Sequence, residues 1–141
     1  MTMTLNHTVW KTKVEGGEES ILLYEEISQI IVDSAYEVHR LLGKGFLEKV
    51  YENALVKELE LRNIRCVQQY PLEVYYKDYA VGNYIADIIV EDKIILEIKS
   101  VSAIDANHVA QLLNYLKATR KKLGFIINFG AEKIQIKRVI N

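Results

Sequence analysis

Cysteine and proline are nearly absent from this sequence of 141 residues, in which each occurs once, as Cys66 and Pro71. A single cysteine excludes an internal disulfide and any metal site built from several cysteines. No apolar run approaches the ~20 residues that a helix needs to cross a bilayer. The opening residues, MTMTLNHTVWKTK, lack the apolar centre of a secretory signal. We therefore expect a cytoplasmic protein that has no membrane partner.

Linkers and internal repeats are also missing. With seven glycines, one proline and no low-complexity tract, the chain has no evident boundary between domains. Half of the residues are hydrophobic, which is enough for one core. Residues 1–22 are largely polar and aperiodic, and we expect them to form a flexible tail. Residues 23–141 are expected to form a single domain.

The sequence as a whole has no excess of one charge sign, since its net charge is −1. The charges are nevertheless unevenly distributed: residues 1–98 hold 10 basic and 17 acidic side chains, whereas residues 99–141 hold 8 and 2. A basic end of this kind is suited to an anionic ligand such as nucleic acid, but a solvated surface of mixed charge explains it equally well. The side chains predicted to contact nucleic acid are Lys117, Arg120, Lys121 and Lys122.

Apolar periodicity predicts three helices, at about Tyr24–Leu41, Phe46–Arg62 and Asp105–Thr119. Runs of β-branched residues predict strands at Ile64–Tyr70, Leu72–Tyr76, Leu123–Phe129 and Lys133–Val139, with a hairpin at Tyr84–Ser100. This order of elements predicts an α/β fold in which a central mixed sheet is flanked by helices.

Three single residues carry more local predictions. Pro71 cannot donate to a strand ladder, so it fits a sheet edge or a bulge. Gly43 is placed for the left-handed cap that ends the first helix. His39 lies near the end of the same helix, where an imidazole suits the carbonyl end of the helix dipole, and a structural role is expected for it.

The hairpin YIADIIVEDKIILEIKS carries three charged residues within otherwise apolar strands: Asp87, Glu97 and Lys99. Alternation puts Glu97 and Lys99 on one face of their strand. A three-residue loop, Glu91-Asp92-Lys93, sets Asp87 directly opposite Glu97, whereas a two-residue loop would turn Asp87 to the other face. The pattern predicts two carboxylates and an ammonium group on one patch.

Two interpretations of that patch remain open. Carboxylate oxygens at one place are suited to Mg²⁺ or Mn²⁺. The same residues also fit a solvent-facing strand surface, on which Lys99 neutralises a carboxylate across the strands.

A helical wheel of the second helix adds Glu48 to the candidate residues. With Leu47 at zero and about 100° per residue, Val50, Tyr51, Ala54, Leu55, Leu59 and Leu61 form the apolar sector, and the polar side includes Glu52. Glu48 falls between Leu55 and Leu59. A carboxylate beside a buried face must be paired, hydrogen-bonded or bound to metal, so Glu48 has a functional and a structural interpretation.

Taken in order, these residues resemble the PD-(D/E)XK nuclease superfamily, whose core is αβββαβ. The string is Asp87, then Glu97-Ile98-Lys99, then Gln111-x-x-x-Tyr115 on a helix, preceded by Glu48 on another helix. More narrowly, the segment from Gly45 to Tyr51, GFLEKVY, resembles the signature of the GxxExxY branch. Lys44 stands where that branch usually has proline. The resemblance covers about residues 25–141.

The resemblance implies a nuclease that hydrolyses phosphodiester bonds in nucleic acid, with DNA favoured over RNA. Asp87 and Glu97 would hold Mg²⁺ or Mn²⁺ with the Ile98 carbonyl, and Glu48 would join directly or through water. Lys99 would orient water or offset phosphate charge. Gln111 and Tyr115 would position substrate or brace the site, and Tyr51 is also implied to position substrate. A binding module that does not cleave, and a structural homodimer, remain as alternatives.

Overall fold

The computed structural model describes residues 16–141, with side chains described from Tyr24 onward. Its elements are α1 (Gly16–Leu42), α2 (Glu48–Leu61), β1 (Cys66–Tyr76), β2 (Tyr79–Val90), β3 (Ile94–Lys99), α3 (Ala106–Thr119), β4 (Leu123–Asn128) and β5 (Gln135–Ile140). Helix α1 therefore begins within the segment expected to be a tail. The rest of that segment, residues 1–15, lies outside the described residues.

The five strands form one mixed sheet in the order β1-β2-β3-β4-β5. Strands β3 and β4 are parallel, and the other neighbouring pairs are antiparallel. Helix α3 makes the crossover between the parallel strands, as a parallel connection requires. The predicted architecture, a central mixed sheet flanked by helices, is confirmed.

Each face of the sheet packs against different helices. Helices α1 and α2 cover one face, where Ile31 and Leu55 join Leu96 and Ile127 in the larger core cluster. Helix α3 covers the other face through Leu112 and Leu116, which pack with Ile95 and Ile126. Because β3 and β4 are covered on both sides, they are almost continuously apolar, as buried strands are.

Most of the local predictions are confirmed. Strand β2 ends at Val90 and β3 begins at Ile94, so the hairpin loop has the three predicted residues. Gly43 takes the left-handed conformation with φ of 70° and donates its N–H to the His39 carbonyl. The His39 ring is structural, as expected: its Nε2 lies 3.1 Å from the Ala131 carbonyl oxygen.

Pro71 lies on the sheet edge, as predicted, but it does not interrupt its strand. The predicted strands on either side of it form one strand, β1, in which Pro71 is opposite Ile85. An edge strand has one side without a neighbour, so a missing N–H on that side costs no ladder hydrogen bond.

The buried face of α2 is turned by roughly a quarter of a helical turn from the predicted sector. Its buried residues are Tyr51, Glu52, Leu55, Val56 and Leu59. Leu47, Val50 and Leu61, predicted to be on the apolar side, are exposed. Leu47 precedes the helix and Leu61 is its last residue, so neither lies over the centre of the sheet. None of the helices in residues 16–141 is long and apolar enough to span a membrane.

Candidate active site

The candidate site lies where the ladder between β2 and β3 ends. Its last pair is Ile88 with Leu96, although β2 continues to pair with β1 as far as Tyr79. One step further along the same register, Asp87 is opposite Glu97. Instead of a backbone carbonyl, the Asp87 carboxylate accepts the Ile98 N–H, with 2.8 Å between Oδ2 and N. Asp87 thus fills the opening between two strands that separate.

A local irregularity in the β1–β2 hairpin accompanies this separation. Gln69, which the ladder register places opposite Asp87, has φ of 51°, an uncommon value for a residue with a side chain. On β2, Ile88 packs on the side of α1 and α2, while Ala86, two residues away, packs on the side of α3. Regular alternation would put both residues on one face. The strand therefore changes face at Asp87.

The carboxyl groups of Asp87 and Glu97 are partly buried and electrostatically coupled. Burial raises the pKa of Glu97 to about 7, and the charge of Asp87 contributes to that rise. Burial also raises the pKa of Asp87, against the lowering effect of the Ile98 N–H. Lys99 lowers both pKa values. Two acids that resist joint ionisation form a pair whose charge a bound cation would balance.

A pocket of about 350 Å³ opens beside Glu97 on the α3 side of the sheet. Its lining includes Glu97, Lys99, Gln111 and Tyr115, four residues that the sequence had put forward. Strand β3 supplies the first two and helix α3 supplies the others, so the sheet and its crossover helix bring them together. Their catalytic and positioning roles stay predictions.

Tyr84 is a pocket residue that the sequence analysis missed. Its ring stacks on Tyr115 with 3.8 Å between the ring centroids, and its hydroxyl donates to Oε2 of Glu97. Burial, followed by the charge of Glu97, raises the pKa of Tyr84. The sequence has nine tyrosines, and nothing local distinguishes this one from the rest. The stacking partner comes from a helix more than twenty residues away, a contact that no periodicity reports.

Glu48 and Glu52 exchange the environments that the wheel assigned to them. Glu48 is exposed at the first turn of α2, and Glu52 is buried at 3 % exposure. Both charges raise the pKa of Asp87, with Glu52 having the larger effect. The wheel contained the signal for Glu52, which falls at about 140°, next to Leu59 at about 120°. The assignment of Glu52 to the polar side is therefore wrong.

The buried Glu52 carboxylate is satisfied by three side chains. It accepts hydrogen bonds from Nε2 of Gln68 at 2.8 Å and from Nε2 of Gln69 at 3.1 Å, and Lys49 Nζ lies 3.2 Å away. A buried charge needs such partners. Glu52 therefore links α2 to the irregular part of β1 that faces Asp87.

The donor set fits a hard cation such as Mg²⁺ in part. Asp87 and Glu97 supply carboxylate oxygens, and the Ile98 carbonyl is available on the β2 side, since a strand residue directs its N–H and C=O toward one neighbour. Mg²⁺ is usually held by one or two carboxylates, with water and substrate phosphates completing its shell. Among the described residues there is no group of three or more acidic, His or Cys side chains close enough to hold a metal. Glu48 therefore fits contact through water better than direct contact.

Tyr51 is buried and does not line the pocket. It is fully buried, with its ring stacked on Phe129 at 4.6 Å between centroids. Its hydroxyl donates to the Gly43 carbonyl at 2.6 Å and accepts the Phe46 N–H at 3.1 Å. These contacts make Tyr51 a brace of the loop between α1 and α2. Any effect of Tyr51 on substrate position would act through that loop, and its positioning role stays a prediction.

The four basic residues predicted to contact nucleic acid lie away from the pocket. Lys121 donates to the carbonyl of Asp92 in the β2–β3 loop, at the end of β3 opposite to Lys99. The length of β3 separates the two ends by about 17 Å. Arg120 lies 4.4 Å from the Tyr75 ring centroid and donates to the Lys77 carbonyl. Lys117 is in the last turn of α3, and Lys122 precedes β4.

A comparison with models of protein families identifies the superfamily of the chain. A model of the PD-(D/E)XK nuclease superfamily matches residues 25–139. The chain belongs to the PD-(D/E)XK nuclease superfamily. Its members generally use divalent metal ions and act on nucleic acid. The match covers all three helices except the start of α1, and all five strands except the last residue of β5.

A solved structure shares the fold of this PD-(D/E)XK protein. The crystal structure of SSO0001 aligns with a TM-score of 0.52 and 17 % sequence identity. The alignment covers 86 % of this chain and 61 % of that chain, so this chain spans about three fifths of SSO0001. At this identity the likeness concerns the fold alone. Among curated proteins, none matches the sequence.

Proposed function

We propose that this PD-(D/E)XK protein is a cytoplasmic nuclease of the GxxExxY type that hydrolyses phosphodiester bonds, in DNA rather than RNA, with Mg²⁺ or Mn²⁺. The observation that carries the proposal is the arrangement at the end of the β2–β3 ladder. There, Asp87 is oriented by the Ile98 N–H, Glu97 is its electrostatically coupled neighbour, and Lys99 lines the adjoining pocket.

Asp87, Glu97 and the Ile98 carbonyl would hold the cation. A cation bound there supplies electrostatic stabilisation of the phosphodiester as it is cleaved. The Ile98 N–H fixes one oxygen of Asp87 and leaves the other for a ligand. Tyr84 holds Oε2 of Glu97, and its stack on Tyr115 fixes the direction from which it does so.

Lys99 supplies the positive charge of the pocket. An ammonium group has three donors and no acceptor, so it cannot be a metal ligand. Its position two residues after Glu97 puts it on the same strand face, where it can donate to a phosphate oxygen or orient the attacking water. Hydrolysis adds water across one P–O bond and leaves a phosphate monoester and a hydroxyl group.

The test is a cleavage assay on single-stranded, duplex and branched DNA and on RNA, each with Mg²⁺, with Mn²⁺ and with a chelator. We expect metal-dependent cleavage of DNA that Glu97→Gln and Lys99→Met each reduce by at least about 100-fold. Glu58→Gln is the matched control, because Glu58 pairs with Arg62 on α2 outside the pocket. Full activity in the chelator would contradict the metal-dependent mechanism.

The second candidate is a nuclease-fold module that binds nucleic acid without cleaving it. The observation that favours it is the lack, among the described residues, of a group of three or more ligand side chains. Binding to DNA that is unaffected by metal, with no product on any substrate, would support this candidate over the nuclease. A melting temperature raised by millimolar Mg²⁺ or Mn²⁺ would favour the nuclease, since a ligand that binds only the native state stabilises it.

A further inference from the structure

His108 lines the pocket and is also hydrogen-bonded to Asp105 at the start of α3. The proposed mechanism assigns it no role. It is the third residue of α3, whose cap is Asp105. Oδ1 of Asp105 accepts the His108 N–H at 3.1 Å, and Nδ1 of His108 accepts the Asp105 N–H at 3.1 Å. This reciprocal pair is a capping box in which histidine stands where Glu or Gln is usual.

The capping box fixes the tautomer of the neutral His108 ring. Nδ1 accepts a backbone N–H, so it carries no proton, and the ring proton must lie on Nε2. Nε2–H is then a hydrogen-bond donor. None of the hydrogen bonds within the described residues uses Nε2 of His108 as donor, although the histidine side chain is mostly buried, at 22 % exposure.

The pocket that His108 lines is suited to an anion. Lys99 supplies a cation, and the amide groups of Asn83 and Gln111 supply further donors. His108 also lies in the first turn of α3, where the helix dipole favours negative charge. Glu97 is the acidic residue of the pocket, and its Oε2 accepts a hydrogen bond from the Tyr84 hydroxyl.

We propose that Nε2–H of His108 donates to a non-bridging phosphate oxygen of the substrate strand, across the pocket from Lys99. The inference rests on the proposed function, because it takes the pocket to be where nucleic acid binds. It assigns one contact with the phosphodiester backbone. Since the donor is neutral, its removal should weaken binding without changing the number of counterions released.

Two substitutions of His108 separate the cap from the pocket contact. Both Glu and Gln complete a capping box from this position. His108→Gln keeps a donor, because its amide carries N–H groups, whereas His108→Glu presents only acceptors. The two variants are nearly identical in size, and both should melt close to the wild type.

The measurement is fluorescence anisotropy of a labelled single-stranded DNA oligonucleotide, in chelator and at fixed salt. We expect His108→Gln to bind within about twofold of wild type and His108→Glu to lose at least about tenfold in affinity. Asn107→Glu places the same charge on the neighbouring exposed residue, outside the pocket, and should lose less than about threefold. Asp105→Ala removes the cap side chain, lowers the melting temperature and leaves affinity unchanged.

The outcomes distinguish the inference from the proposed function. Wild-type protein that binds the oligonucleotide while His108→Glu binds equally well overturns the inference and leaves the function standing. Equal losses in His108→Glu and Asn107→Glu also overturn it, because the effect is then one of net charge. A large loss of affinity in His108→Gln, at an unchanged melting temperature, also overturns the inference. Wild-type protein that binds neither DNA nor RNA overturns the proposed function and, with it, the inference.

Discussion

Glu97 is the residue in which the conflict between stability and function is greatest. It lies on a strand with buried neighbours on both sides, and its pKa is about 7 against an ordinary 4.5. The protonated form is therefore favoured in the folded chain. A cation, or the positive charge of Lys99, favours the ionised form instead. In the metal-free protein this carboxyl group is expected to destabilise the fold as it ionises.

This gives a pH dependence whose sign follows from the raised pKa. In chelator, the contribution of Glu97 to the free energy of unfolding is present in full below pH 4.5. As the pH rises to about 7, the free energy of unfolding falls by up to about 3 kcal/mol, because Glu97 ionises at a lower pH in the unfolded chain than in the folded one. The raised pKa of Asp87 acts in the same direction. Glu97→Gln carries no titrating group, so its free energy of unfolding should fall less over this interval. Urea denaturation from pH 4.5 to 8 measures the difference.

The control for that series is Glu58→Gln, which removes a carboxyl group paired with Arg62. Its stability should follow the wild-type pH curve in shape. A Glu97→Gln curve parallel to that of wild type would mean that Glu97 titrates normally in the folded protein.

At the scale of single residues, the sequence predicted which acidic side chains are close together but not which groups hydrogen-bond to each of them. The odd-length loop sets Asp87 opposite Glu97 by a local rule. Regular alternation, by contrast, fails at Asp87, where β2 changes face. The Tyr84 hydroxyl on Glu97 depends on packing between β2 and α3, so it has no local signal. Glu52 was missed because the exposed residues Leu47, Val50 and Leu61 shifted the predicted apolar sector away from it.

Among the elements, the loop between α1 and α2 is braced by a buried side chain, Tyr51. Tyr51 bonds to Gly43 and Phe46, at the two ends of that loop, while its ring is held against Phe129. The loop leads directly into Glu48. Tyr51 therefore acts on the site through the placement of the start of α2.

Tyr51→Phe should lower the free energy of unfolding by about 1–3 kcal/mol, because it leaves the Gly43 carbonyl without its partner. The ring stack remains, so the fold should be kept. Urea denaturation measures the loss, and Tyr36→Phe, at an exposed position of α1, should change little. A raised KM with wild-type stability would instead indicate that the hydroxyl touches substrate.

Helix and strand positions were predictable wherever one period dominates. Apolar periodicity gave the bounds of α3 to within a residue. The rotation of α2 was not predictable, because Leu47, Val50 and Leu61 extend the apolar pattern beyond the part of the helix that the sheet covers. Such residues follow the helical period without being buried.

Across the whole molecule, the distribution of charge and the position of the pocket do not coincide. The basic residues Lys121 and Lys122 lie about 17 Å from Lys99, at the other end of the parallel strands. One strand of duplex DNA carries a phosphate every ~3.4 Å along the axis, so about five base pairs span this distance. A substrate must exceed that length to contact both regions.

The double variant Lys121→Glu/Lys122→Glu should therefore weaken binding only of long ligands. For a 20-base-pair duplex, we expect lower affinity and a salt slope that is less steep by about two. For a dinucleotide that fills the pocket alone, we expect no change. Competition binding over a salt series measures both, and Lys99→Met is the reciprocal control, since it should weaken both ligands. Weaker dinucleotide binding in the double variant would argue against this separation.

The unequal pairing of β2 has a consequence for how the molecule opens. Of the strand Tyr79–Val90, only residues 88 to 90 pair with β3, while the rest is held by β1 and by packing on α3. Segments with fewer hydrogen-bonded neighbours open at a lower free-energy cost than the core of a sheet. Backbone amides should therefore exchange with solvent in two groups, divided at Asp87. The slow group supports Asp87 and Glu97, and the fast group carries Asn83 and Tyr84, so that entry to the pocket can open and close while these two acids stay fixed.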